Sequence, residues 1–187
     1  AARQNFDLLV STRPPDTEEE ERAYRRMVDG RLVDGLLVVR TRVDDRRIAY
    51  LSRLGFPFVA FGRSDQDVEF PYVDEDGWRG LELVTQHLID LGHRRLALIA
   101  VPEGLMFGLA RRAGFRAVLE RSGLSLAGEY MVTSDLTQRG GFRAMNYLLD
   151  LSPPPPAVVA CNDLMALGSA NGPQSHQVVA GHNRRRW

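Results

Sequence analysis

Short runs of contiguous apolar residues, LLVV at 36–39, LALIA at 96–100 and AVVA at 157–160 among them, recur along this chain between longer segments with helical periodicity. Parallel strands cannot be joined by a tight turn. They need a crossover of about a dozen residues or more, usually a helix, and the crossover is right-handed. A chain that keeps alternating in this way is restricted to an α/β fold with parallel sheets. Runs that are apolar at every position, not at every second one, point to strands covered on both faces.

The pattern can be followed residue by residue. Residues 6–10 read as a short strand. In PPDTEEEERAYRRMVDG, Pro14 and Pro15 break the chain, and Thr17 with Glu20 forms a capping box. Glu18/Arg22 and Glu21/Arg25 are spaced i,i+4 with the acid first, while Ala23, Tyr24, Met27 and Val28 make an inward stripe. Gly30 ends that helix. VDGLLVVR is a strand, 44–54 a helix closed by Gly55, FPFVAFG a strand and PYV a short extended piece. Asp76 caps a helix that runs to about Leu91. The segment Gly92-His93-Arg94-Arg95 is a joint. After it the rhythm restarts with strand 96–101, helix 107–122, strand 130–133, helix 138–149, strand 157–161 and a helix from Asp163. Two α/β subdomains are expected, 1–92 and 93–168. Residues 169–187 form a tail outside the pattern, with no acid after Asp163 and no leucine after Leu167. Pro153 to Pro156 read as a stiff loop feeding the strand that follows.

Composition removes several functions. The chain has 187 residues, 44% hydrophobic and 26% charged, with a formal net charge of zero. It is therefore expected to fold, with no bulk attraction to nucleic acid. No apolar run approaches the ~20 residues needed to span a bilayer, and no signal peptide is visible. The single Cys161 fits a reducing cytoplasm. Every basic residue is arginine, so a Walker A lysine and Schiff-base chemistry are absent. The pairs His87/His93 and His176/His182 match no metal motif, and there is neither a GxSxG elbow nor a GxGxxG loop. Neither a metal nor a cofactor is expected, and nothing points to an enzyme.

What remains is binding. In open α/β sheets, ligands sit beyond the carboxyl ends of the strands. The polar residues there are Arg40, Arg63, the loop leading to Arg111, Asp135 and Asn162-Asp163. Arginine donates in a fork, aspartate accepts and asparagine does both, a set suited to a polyhydroxylated ligand. Helix capping is the competing explanation of the aspartates, of Asp163 above all.

The segments VDEDGWRG…HLIDLGHRRLALI, RRAGFRAVLERSGL and PPPPAVVACNDLMALG resemble the effector-binding core of the LacI/GalR family of bacterial transcription regulators. The resemblance covers residues 5–168. It implies the type I periplasmic-binding-protein fold, incomplete here: two Rossmann-like subdomains with parallel sheets, joined by hinge strands, of which HLIDLGHRRLALIA looks like one. It also implies a small effector, often a sugar or a nucleobase and here expected to be a sugar, held in the interlobe cleft. The matching positions are Arg63, Asp76, Phe107 (placed to stack on a sugar ring), Arg111 of R-x-x-GF, Asn162 of the ND pair, and Leu136, where several members carry an aromatic residue. The helix after the ND pair is implied to lie in a homodimer interface, with Leu164 and Leu167 on one face.

Relative to the family pattern, the helix-turn-helix, the hinge helix and the first strand are absent. Operator DNA is therefore a partner only through a missing N-terminal domain. The expected function is effector sensing for a cytoplasmic regulator. The alternative is a periplasmic-type sugar-binding protein of a transporter, and a sugar-processing enzyme stands third.

Overall fold

The computed structural model describes residues 6–171 and the backbone of 177–180. The chain forms two compact units, Ala1–Asp74 and Glu75–Trp187.

In the first unit, α1 spans Glu18–Asp29. Thr17 accepts from the Glu20 amide, while the Glu20 carboxylate reaches back one residue further than a capping box requires, to the Asp16 amide. The strands are β1 (Leu36–Val39), β2 (Phe58–Phe61) and β3 (Tyr72–Val73), paired in parallel in the order β1-β2-β3. Helix α2 (Arg46–Leu54) is capped by Asp45 and closed by Gly55, whose φ of 61° is easily adopted only by glycine. Val28, Val38, Ile48, Leu51, Phe58 and Ala60 form the core.

Two expectations fail here. Residues 6–10 form no strand, and Phe6, Leu8, Leu9 and Val10 are exposed. The first sheet is also not covered on both faces. Val38 is fully buried, whereas Leu37 is 71% exposed and Val39 52%. An apolar run states only that both faces are apolar; whether a second layer covers them is decided by the rest of the fold.

In the second unit the elements are α3 (Gly77–Asp90), β4 (Leu96–Ala100), α4 (Met106–Arg121), β5 (Met131–Thr133), α5 (Gln138–Asp150), β6 (Ala157–Ala160), α6 (Asp163–Ala170) and β7 (Gln177–Ala180). The sheet is parallel, in the order β5-β4-β6-β7. Every residue of β4 and β6 is buried. Strand β4 leads on to β5 on one side while its neighbour β6 leads on to β7 on the other, so the loops leaving β4 and β6 diverge, the position at which open α/β sheets take ligands.

Three glycines allow the helices to approach. A Cβ on Gly114 would overlap the Trp78 carbonyl on α3, one on Gly141 the Met165 backbone on α6, and one on Gly168 the Gln138 carbonyl on α5. The glycines of R-x-x-GF and MALG are thus packing residues.

The units divide between Asp74 and Glu75, not at Gly92. Gly92, with φ of 93°, closes α3 and begins the turn to β4 inside the second unit. The reason is α3 itself, which packs against α4 and is tied to it by Arg121–Glu82 at 2.9 Å. Arg94 donates to the Ile89 carbonyl and Arg95 to that of Pro154, so the charged corner fastens the helix end and a neighbouring loop. Beyond Gly168, where the pattern was expected to stop, α6 continues to Ala170, and Gln177–Ala180 pairs in parallel with β6. His176, His182 and Arg184 to Arg186 lie outside the described residues.

Candidate functional site

In the second unit the candidate site is built around one side chain, Arg111. Arg111 stands in the second turn of α4 and its side chain is 9% exposed. Its Nη1 donates to the Cys161 carbonyl at the end of β6, and its Nη2 pairs with Glu75. Its guanidinium carbon lies 4.7 Å from the centroid of Phe107, one turn earlier on α4, a cation–π contact. Gly77 leaves room for it: a Cβ there would come within 3.1 Å of the Arg111 Cγ. A guanidinium has five N–H groups, so donors remain beyond these partners.

Asn162 follows Cys161 directly. Its Oδ1 accepts from the Met165 amide and caps α6, and its Nδ2 donates to the Leu136 carbonyl. The cap is therefore Asn162, while Asp163, the expected cap, is the first helical residue. Leu136 sits at φ of 68°, a left-handed conformation unusual for leucine, at the turn from β5 to α5. Its side chain is half-buried against the core, so its contribution here is a carbonyl. Phe107, Arg111, Cys161, Asn162 and Leu136 thus form one connected set at the carboxyl ends of β4, β5 and β6.

Other expected residues fall elsewhere. Asp76 caps α3 by accepting from the Arg79 amide. Arg63 belongs to the first unit, where its Nε is 3.2 Å from Asp74 and its guanidinium carbon 5.5 Å from the centre of the Tyr72 ring. Asp135 accepts from the Thr137 hydroxyl and amide and from Arg143, and these partners hold its carboxyl below the usual aspartate range. Arg40 has φ of 55° and offers its carbonyl to Arg47. Leu164 and Leu167 are 53% and 57% exposed on α6. Cys161 lies buried in the core, and that burial pushes its thiol up to about 11. Among the described residues, no three or more His, Cys, Asp or Glu side chains are grouped to hold a metal. No helix among them is long and apolar enough to cross a membrane.

Comparison with known proteins bears directly on this arrangement. The family described as periplasmic binding proteins and sugar binding domain of LacI family matches residues 1–183. The chain belongs to that family. Its LacI-type relatives include the HTH-type transcriptional regulator AglR of Rhizobium meliloti (strain 1021), 35% identical over 90% of this chain and 47% of the relative. A regulatory protein of the LacI family from Chloroflexus aggregans superposes with a TM-score of 0.79 at 30% identity, over 96% of this chain and 67% of that one. The transcriptional regulator CelR–cellobiose complex gives a TM-score of 0.76 at 32% identity, over 88% and 53%. The chain spans about half the length of the curated relatives it matches. The LacI-type match continues past Gly168, in line with the strand found at 177–180.

Sequence reasoning missed two participants. One is Glu75, the ion-pair partner of Arg111. The other is Arg112, which donates to the Val101 carbonyl and the Thr133 hydroxyl and so ties the end of β4 to that of β5. The R-x-x-GF pattern singles out Arg111, whereas the part played by Arg112 shows only in the direction its side chain takes from α4.

Proposed function

We propose that this chain is the effector-sensing part of a LacI-type transcription regulator and that its effector is a sugar. The observation that carries the reading is Arg111, a buried guanidinium held over Phe107 beside Asn162, at the strand ends where α/β folds take ligands. An oriented fork of donors, an amide and an aromatic face suit the hydroxyls and the apolar face of a sugar ring. Relatives named as regulators of the HTH type, and one solved with cellobiose, support a regulator over a transporter component.

On this reading Phe107, Arg111 and Asn162 contact the effector, with Asp76 and Leu136 shaping its surroundings, and the family resemblance alone proposes Arg63 as a further contact. The protein works in the cytoplasm as a homodimer through a surface that includes Leu164 and Leu167. It reaches operator DNA through an N-terminal reading head and performs no catalysis. Titration calorimetry with neutral mono- and disaccharides, ribose and cellobiose included, tests the central claim. One sugar should bind, and Arg111→Ala should weaken it about tenfold or more, because charged hydrogen bonds are worth roughly 1.5–3 kcal/mol each. Unchanged affinity in a folded Arg111→Ala protein would remove Arg111 from the site.

A further inference from the structure

Arg111 is not a bare cation. Its Nη2 is paired with Glu75, and the same arrangement recurs in the first unit, where Arg63 is paired with Asp74. The two acids are consecutive, Asp74 ending the first unit and Glu75 opening the second. Other arginines near the strand ends of the second unit also carry acids of their own, Arg112 with Glu103 at 3.1 Å and Arg143 with Asp135 at 2.9 Å.

We infer that Glu75 sets the chemical class of ligand that Arg111 accepts: it orients the guanidinium and cancels its charge, so the site takes uncharged hydroxyls and rejects carboxylates and phosphates. The inference rests on Arg111 being an effector contact. Two of its N–H directions are committed to Glu75 and the Cys161 carbonyl, which fixes the plane in which the remaining donors lie. A hydroxyl can accept from those donors without disturbing the pair. A ligand anion would instead approach within hydrogen-bond range of the group that holds Glu75, and would meet like-charge repulsion in a largely buried setting. Glu75 is a positioning residue, acting on the ligand through Arg111.

The test uses the 187-residue chain, its Glu75→Gln and Glu75→Asp variants, and inorganic phosphate as the anion probe. The side-chain N–H signals of Arg111 are followed by NMR and identified by their loss in Arg111→Lys. In the parent chain, hindered rotation of the guanidinium is expected, with no response to phosphate. In Glu75→Gln, which removes the charge and nearly preserves the shape, rotation should become free and phosphate should bind at Arg111 at least tenfold more tightly. Glu75→Asp should restore the rejection of phosphate. Phosphate binding at Arg111 in the parent chain overturns the inference, and so does a Glu75→Gln protein that matches the parent in both readouts. Failure of the sugar reading is seen separately, as sugar affinity indifferent to Arg111→Ala, because the phosphate readout needs no sugar.

Discussion

The two sheets are written in the same alphabet and end in different states. LLVV in β1 and FVAF in β2 are as apolar as LALIA in β4 and AVVA in β6. Yet β4 and β6 are buried at every position, whereas β1 and β2 alternate, with Leu37, Val39, Val59 and Phe61 between 38% and 71% exposed. The second sheet has helices enough for both faces. The first is packed by Val28 of α1 and by Ile48 and Leu51 of α2 into a core on one face. An apolar strand records what its faces will tolerate, and the inventory of neighbouring helices decides what they receive.

The largest effect should separate the units. Phe115 is fully buried among the side chains of the second core. Phe115→Ala should cost about 3–5 kcal/mol. Hydrogen exchange should show the loss in 75–171, with α1 and α2 protected as before. Equal loss in both units would mean that they unfold together.

A smaller contrast tests burial directly. Val158 is fully buried and Val39 is 52% exposed. Val158→Thr places an unpartnered hydroxyl in the core and should cost about 1–3 kcal/mol, whereas Val39→Thr should stay within ~0.5 kcal/mol. Denaturant midpoints decide, and equal shifts would show that the β1 face is covered in solution.

Acid should act unevenly as well. Burial pushes the Asp45 carboxyl up, but hydrogen bonds and charge from Arg47, together with the Arg42 amide, outweigh it and hold the carboxyl below its ordinary value. Its contribution to stability is therefore present above the unfolded value of about 4 and is lost as pH falls through the lower folded value. In the second unit the exposed Asp135 and the ion-paired Glu82 are also held below their ordinary values, Glu82 by Arg79 and Arg121. The first unit should lose stability below about pH 4, and Asp45→Asn should flatten that dependence in a pH series of denaturant melts.

The smallest effect on stability should come from Leu167→Glu, within ~0.5 kcal/mol, because Leu167 is 57% exposed. The same change should lower self-association in sedimentation velocity. A tight dimer indifferent to it would place the interface elsewhere.

Much of this was legible in the chain. The cap at Thr17, the closing Gly55 and the cap at Asp76 are local devices, decided within about four residues. The candidate site was legible in part, because the residue following a buried strand is placed by the strand itself; Asn162 after β6 is the example. Glu75 was not, since its partner lies 36 residues away and an acid in DED advertises nothing about which arginine it will meet.

The order of residues alone determined the α/β alternation and the helix ends, since each depends on local backbone geometry. Tertiary structure decided the rest. It set the division at Asp74–Glu75, because α3 packs against α4. It left one face of the first sheet open, and it turned Arg111 from one of 24 arginines into a guanidinium fixed by Glu75, Cys161 and Phe107. Those outcomes depend on which surfaces meet across long sequence separations, and contact at that range is a property of the packed chain, not of any segment of it.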